Sequence, residues 1–261
     1  MVIFKLWHDQ IVPSLFHIIA KKKTDFIQLM LDLEKNDENE KNFTSEDSET
    51  EDKDRINSKP LGSLSSDELT AQGIIFFIAG YDTTSSSLSH VVYYLSVNKE
   101  CQQRLYEELK DVKEFSYETL SQLKYLCAVI DESLRLSPPL LRIQRQGSHD
   151  LEIKGIRIPA GTTIDVLPYA LHRDPDLWPD PLEFKPERFL EPRHHPWAYM
   201  PFGGGPRVCL GKRFALQEMR MCCAKLFRNY QVDLAPGFKL EYFRRNVILL
   251  PKSMKVTLKA R

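Results

Sequence analysis

The sequence has no surplus of charge: 36 Lys and Arg are matched by 36 Asp and Glu, a formal net charge of zero. Nothing in that balance asks for a nucleic acid, whose phosphates are met by an excess of cations. Long apolar runs are missing too. The N-terminal stretch "MVIFKLWHDQIVPSLFHIIAKKK" is interrupted by Lys5, His8, Asp9 and Pro13, well short of the ~20 apolar residues of a spanning helix, so no transmembrane segment is expected. Cysteines are few, odd in number and irregularly spaced: Cys101, Cys127, Cys209, Cys222 and Cys223. With no signal peptide ahead of them, they argue against a disulfide framework and for reduced, intracellular thiols. There is no internal repeat. A chain of 261 residues, 42% hydrophobic and 28% charged, can bury the core of one large domain or two small ones.

What is present is unevenly distributed. Residues 34–59, "EKNDENEKNFTSEDSETEDKDRINSK", are acidic and polar with only Phe43 and Ile56 as apolar interruptions. Such a tract cannot bury enough surface to offset its ordering entropy, and a mobile, solvated loop is expected. Without it the remainder is basic.

The stretch "SLSSDELTAQGIIFFIAGYDTTSSSLSHVVYYLSVN" predicts one long helix over 66–97, capped by Ser66 with Asp67 and Glu68 in its first turn and ended by Asn98. At roughly 30 residues, or ~45 Å, it would cross a whole domain. Ile74 to Ile78 are apolar all round, as in a buried central helix. Gly80, Asp82, Thr83, Thr84 and three serines in its middle predict a notch against the backbone, or else a kink at a close helix crossing.

Amphipathic helices are expected from about Lys99 to Val112 and from about Ser116 to Leu136, the second stopped by Pro138 and Pro139. The period then changes to two. "LLRIQRQ" and "HDLEIKGIRIPAGTTIDVL", with turns at Gly155 and Gly161, read as short strands of a small sheet. A proline-rich meander fills 174–206. A helix follows Cys209 to about Tyr230, and strands are expected near 231–234, 247–250 and 254–258. The fold class is mainly α with small β-sheets (α+β).

"PFGGGPRVCLGKRF", residues 201–214, sets Cys209 among glycines and Arg207. Thiolate is a soft ligand for transition metals or haem iron. A tetrahedral zinc site would need companions, and no Cys or His stands nearby at ligand spacing. A lone cysteine suits haem, which needs only an axial ligand. The glycines would let the loop approach a flat ring and turn backbone N–H groups toward the sulfur, with the following helix N-terminus favouring its negative charge. Arg207 can pair with a propionate. The competing interpretation of this stretch alone is a glycine-rich turn before a helix with a buried thiol.

Here the sequence resembles the cytochrome P-450 family of haem-thiolate monooxygenases. "FGGGPRVCLG" (Phe202 to Gly211) fits the family's cysteine loop at every fixed position. "ESLR" (Glu132, Arg135) fits its Glu-x-x-Arg pair, "PERF" (Pro186 to Phe189) its meander motif, and "AGYDTT" (Ala79 to Thr84) its oxygen-binding notch, all in family order. The finer text "DFIQLMLD", "FFIAGYDTTSSSLS", "YALHRDP" and "GKRFAL" is most similar to the microsomal drug- and steroid-oxidising branch that also contains thromboxane synthase. The resemblance runs from about Asp25 to the C-terminus.

It implies a haem b whose iron takes Cys209, with Arg207, Arg145, Phe202 and Gly203 around the ring. Ala79 and Gly80 would make space for oxygen and substrate, and Asp82 and Thr83 would deliver protons. Glu132 and Arg135, one turn apart and able to pair, would form with Arg188 a buried charge cluster fixing the meander beneath the haem; without context the first two would be a surface pair. Leu140, Leu141, Ile143, Phe76, Phe77, Val247 and Ile248 would line a substrate pocket or be plain core. His172 is read as a satisfied structural histidine, and Cys222 and Cys223 as small buried residues.

The implied function is hydroxylation of a hydrophobic steroid, lipid or xenobiotic with dioxygen and electrons from an NADPH-dependent flavoprotein reductase, or cytochrome b5, at the cytosolic face of the endoplasmic reticulum membrane. Family members are considerably longer, so this sequence is expected to be the C-terminal portion of the fold, without the membrane anchor and first sheet. Two other functions stay open: a catalytically dead remnant, and isomerisation of a peroxide substrate as in thromboxane synthase, against which the Asp82–Thr83 pair argues.

Overall fold

The computed structural model describes residues 65–191, 194–244 and 247–261. The acidic tract 34–59 and the N-terminal apolar stretch lie outside these residues. The chain divides into two compact units, residues 1–79 and 80–261.

Helix α1 spans Ser66–Val97, as its pattern predicts, but the cap is Ser65 and not Ser66. The Glu68 N–H donates to Ser65 Oγ at 3.3 Å and the Ser65 N–H donates to the Glu68 carboxylate at 2.9 Å. This is a reciprocal capping box, and only Ser65 stands at the required spacing from a Glu. The apolar run in α1 is not buried as expected. Its exposures range from 38% at Phe76 to 70% at Phe77. Consecutive apolar residues point round the whole circumference of a helix, so covering them takes neighbours on every side. Farther along, Val91, Val92 and Leu95 are buried. The hydroxyls of Ser85, Ser87 and Ser89 donate back to the carbonyls of Asp82, Thr83 and Ser85 at 3.1, 2.8 and 2.8 Å, which satisfies them without a partner element.

Four helices build most of the core among the described residues. Helix α2 is Lys99–Leu109, α3 is Tyr117–Gln122 and α4 is Lys124–Leu136. The single helix expected over 116–136 breaks at Leu123, whose ψ is 97°. The break is stable because it is capped from elsewhere: the Tyr125 and Leu126 N–H groups donate to the Glu108 carboxylate of α2 at 2.8 and 2.9 Å. Helix α6, Lys212–Asn229, packs on α2, α3 and α4. Leu105, Leu109, Leu126, Val129 and Phe227 are fully buried among them, each contributing about 2 kcal/mol of apolar transfer.

The strands form separate two-stranded ladders and not one sheet. Strand β1 (Ile143–Gln146) runs antiparallel to β4 (Thr163–Val166), and between them β2 (Leu151–Ile153) pairs with β3 (Ile156–Ile158). Lys154 and Gly155 turn that hairpin with φ of 49° and 78°, the left-handed pair a tight hairpin needs. The bend where the Gly161 N–H meets the Gly147 carbonyl keeps the two ladders apart. Helix α5 (Pro168–Leu171) leads into the meander. Strands β5 (Tyr230–Leu234) and β6 (Val256–Ala260) close the chain. The strand expected over 247–250 reduces to one bridge, Ile248 to Leu140. Its partner segment contains Pro139, which has no N–H to extend the ladder.

Candidate functional site

Unit 80–261 holds a cavity of about 330 Å3 that brings together residues from three parts of the sequence. The cysteine loop supplies Phe202, Gly203, Arg207 and Cys209; strand β1 supplies Ile143 and Arg145; α1 supplies Thr83, Thr84 and Ser87. Pro139, Leu140, Ala215 and Met219 complete much of its apolar surface.

The loop's shape follows from its glycines, each for its own reason. Gly203 and Gly205 have φ of 74° and 71°, a region closed to most side chains. Gly204 is extended, and a β-carbon there would stand 2.6 Å from Trp197 Cζ3. The ring for which Gly204 makes room is therefore an indole of the protein itself, a correction to its expected part in admitting a flat ligand. The Cys209 N–H donates to the Phe202 carbonyl at 2.9 Å, closing the loop at its base. Gly211 and then α6 follow, so the thiol stands just ahead of a helix N-terminus.

Beneath the loop lies a buried charge cluster. Glu132 and Arg135 of α4 are both fully buried. Arg135 Nε and Nη2 donate to the two Glu132 oxygens at 2.7 and 2.9 Å, and its other N–H groups reach the carbonyls of His172, Pro181 and Glu183 at 2.7, 2.8 and 3.1 Å. The Lys185 N–H also donates to Glu132 Oε1 at 2.8 Å. Arg188 comes within 3.4 Å of the same oxygen as an ion contact and places Nη2 on the Asp180 carbonyl at 2.8 Å. The cluster thus ties α4 to the meander at several backbone points.

His172 carries that tie onward. Its Nε2 accepts the Met200 N–H at 2.8 Å, which leaves the proton on Nδ1, 3.2 Å from the Arg135 carbonyl. Burial lowers its pKa to about 4, so the ring is neutral in the fold. Met200 immediately precedes "PFGGG", and the ion pair is linked to the cysteine loop through one imidazole. Beside it the Tyr199 hydroxyl donates to Asp131 Oδ1 at 3.0 Å, and burial pushes the Asp131 carboxyl up to about 6.

Not every expected site residue meets at the cavity. Thr83, Arg145, Phe202, Gly203, Arg207 and Cys209 line it; Asp82 is half-buried one position away and does not. Ala79 belongs to the other unit, and Gly80, where a β-carbon would meet nothing within 4 Å, faces open space. Leu140 and Ile143 line the cavity while Val247, 54% exposed, does not. Phe76 and Phe77 belong to the other unit and are exposed. Sequence reasoning set Thr84 and the serines through Ser87 in the notch without giving them a part at the site; it missed Ala215 and Met219 on the wall, and Trp197 and Met200 near the loop. Ser87 stands one helical turn from Thr83 on α1, and Ala215 and Met219 stand one turn apart on α6; Trp197 and Met200 left no such signal. Cys222 and Cys223 are buried, the Cys222 thiol pushed up to about 12.

A profile of the cytochrome P450 family matches residues 7–258. The chain belongs to the cytochrome P450 family. Among curated relatives, cytochrome P450 3A29 of Sus scrofa is 41% identical over 217 residues, covering 80% of this chain and 39% of that protein. Cytochrome P450 3A11 of Mus musculus is 37% identical over 234 residues, covering 87% and 43%. Cytochrome P450 3A9 of Rattus norvegicus is 39% identical over 217 residues, covering 80% and 39%. This P450 chain therefore spans about two fifths of the length of these relatives.

Cytochromes P450 carry a haem whose iron takes a cysteine thiolate, and the cavity's donor set fits that group. Among the described residues that line it there is one thiol, Cys209, and the charged side chains are the two arginines Arg145 and Arg207 without a carboxylate, as the anionic edge of a porphyrin requires. Val208 and Leu210 flank Cys209 with exposures of 46% and 94%, apolar surface next to the thiol, though neither lines the cavity. Arg145 Nη1 donates to the Gln144 carbonyl at 2.8 Å, which holds the guanidinium at the rim.

Proposed function

We propose that Cys209 would supply the thiolate ligand of haem b in a monooxygenase that hydroxylates a hydrophobic small molecule, of steroid, lipid or xenobiotic type. Dioxygen is the co-substrate, and an NADPH-dependent flavoprotein reductase or cytochrome b5 supplies the electrons. The observation that carries this proposal is the convergence of Cys209, Thr83, Arg145 and Arg207 on one cavity. Resemblance to the family supports a location of the whole protein at the endoplasmic reticulum membrane; among the described residues no helix is long and apolar enough to cross a bilayer.

Bound haem would supply reductive activation of dioxygen and transfer of one oxygen atom to a substrate C–H bond. The chain's own residues do the rest. Cys209, on the loop just ahead of α6, would hold the iron through its sulfur. Arg145 and Arg207 would hold the haem propionates by charge-assisted hydrogen bonds. Pro139, Leu140, Ile143 and Met219 keep water from an apolar substrate. Thr83 holds a proton at its hydroxyl on the cavity wall, with Thr84 and Ser87 as neighbouring hydroxyls, while Ser87 Oγ donates to the Thr83 carbonyl at 2.8 Å. Asp82 stands outside the lining, so its part is to pass protons to Thr83 through water. Glu132, Arg135 and Arg188 support the loop and take no part in proton transfer.

A second proposal, haem binding without turnover, has one observation behind it: the acid of the acid–threonine pair is not on the cavity wall. Turnover of a steroid probe with NADPH and a flavoprotein reductase separates the two. Under the monooxygenase proposal hydroxylated product forms, and Thr83→Ala lowers product per NADPH consumed by about tenfold or more, since proton placement is the lost term. A haem-loaded chain that consumes NADPH at the blank rate without product would leave the second proposal standing. Rearrangement of a lipid peroxide without NADPH would favour the isomerase alternative.

A further inference from the structure

His90 is fully buried on α1, does not line the cavity, and takes no part in the chemistry above. Its hydrogen bonds are nevertheless specific. Nδ1 lies 2.8 Å from the Ser86 carbonyl and must donate there, so Nε2, 3.0 Å from the Tyr242 hydroxyl, accepts. The imidazole and phenol rings stack with centroids 5.7 Å apart and planes 17° from parallel. One turn earlier on the same face, Ser86 Oγ donates to the Leu249 carbonyl at 2.6 Å. Two polar contacts from α1 thus grip both arms of the C-terminal loop, which itself closes through the Tyr242–Pro251 bridge and the Phe243 N–H to Leu250 carbonyl bond at 3.1 Å.

The gripped loop supports a cavity wall. The Leu249 N–H donates to the Pro139 carbonyl at 2.8 Å, the Leu141 N–H reaches the Val247 carbonyl at 3.5 Å, and Ile248 bridges Leu140. Pro139 and Leu140 line the cavity; His90, Tyr242, Ser86 and Leu249 do not. Because Pro139 cannot donate, this ladder is only a few bonds long and cannot set its own position.

We propose that His90 and Tyr242, with Ser86, form a latch that sets the position of the Pro139–Leu140 wall, making them positioning residues for the size of substrate the cavity accepts. The proposal rests on the cavity being the substrate site. Its chemistry requires a ring that accepts at one nitrogen while donating at the other, a demand that no apolar side chain at residue 90 meets. The latch acts through the backbone of 247–250, and altering it changes which ligands fit before it changes whether the iron site forms.

The test compares the full chain with Tyr242→Phe, which keeps the stacked ring and deletes one hydroxyl, and with Ser86→Ala in case Tyr242→Phe impairs folding. Hydrogen exchange is followed at the Leu141 and Leu249 amides, with the amides of β5 as reference. In the haem-loaded chain, affinities for imidazole and for a bulky triphenylmethyl imidazole are read from the Soret shift. The expected result is exchange about tenfold faster at Leu141 and Leu249 with β5 unchanged, and a ratio of the two azole affinities shifted by about tenfold. Unchanged local exchange, exchange raised equally in β5, or faster local exchange with an unmoved affinity ratio would each overturn the latch. If even the unsubstituted chain shows no azole shift, the haem proposal has failed, and the exchange comparison alone decides the latch.

Discussion

Arg135 brings every N–H of its guanidinium to an oxygen: two on Glu132 and three on backbone carbonyls of residues 172, 181 and 183. Satisfaction of that kind decides the sign of a buried ion pair. The desolvation of both charges is offset only while every partner is in place, and removing one leaves a bare charge in the core. Arg135→Leu should therefore cost about 3–5 kcal/mol, read as a lowered urea midpoint, with the loss propagating through His172 to the cysteine loop. Removing the exposed Arg157, paired with Asp150 at 2.9 Å on the β2–β3 hairpin, should leave the midpoint where it was. A midpoint unchanged in Arg135→Leu would mean that the cluster does not hold the meander. The sequence shows the spacing of Glu132 and Arg135 plainly; it does not show the three carbonyls, because these come from a meander whose course is set by tertiary contacts.

At the scale of elements, helical periods and the Gly155 turn were legible, and what was not legible had its cause in another element. Leu123 breaks a continuous amphipathic pattern because Glu108 of α2 caps α4, and local periodicity carries no trace of a cap supplied from fifteen or more residues away. Residues 247–250 are a short apolar run, Val-Ile-Leu-Leu, that reads as a strand, yet their partner is a proline segment. The cysteine loop is similar. Its glycines signalled a special backbone, but the requirement at Gly204 comes from Trp197, and the sequence does not announce that contact. Gly204→Ala should cost about 1–3 kcal/mol in thermal stability through overpacking against the indole, and Trp197→Leu in the same chain should restore much of it. Equal melting of Gly204→Ala and the parent would show that the loop has slack at this point.

Across the whole molecule, buried titratable groups pull in opposite directions with pH. His90 and His172 are each lowered by burial from 6.5 to about 4. The fold holds both rings neutral, so their stability is fully present above pH ~6.5 and lost as pH falls through about 4, roughly 3 kcal/mol each. Asp131 is raised from 3.8 to about 6 by burial; its contribution is present at low pH and lost as pH rises through about 6, of similar size and opposite sign. Between pH 6.5 and 4 these two losses meet one gain, with the half-buried His194, also lowered by burial, adding a smaller loss, and the net fall should be roughly 3 kcal/mol or more. In Asp131→Asn, which keeps a partner for Tyr199 but cannot titrate, the gain is gone and the fall over the same window should steepen. A flat profile for the parent chain would contradict the burial of the two histidines. The exposed run Ile74 to Ile78 belongs to this scale as well: hydrophobicity specified the helix, whereas what covers it depends on surfaces outside the helix.

The central claim is that this chain brings a thiolate to haem iron through Cys209. The most direct test is the absorption spectrum of the haem-loaded chain, reduced and exposed to carbon monoxide, beside a Cys209→Ser variant. A strongly red-shifted Soret band in the parent that is absent in the variant is the predicted result. Haem taken up with the ordinary Soret position of a nitrogen-ligated or unligated iron, the same in both chains, would contradict it.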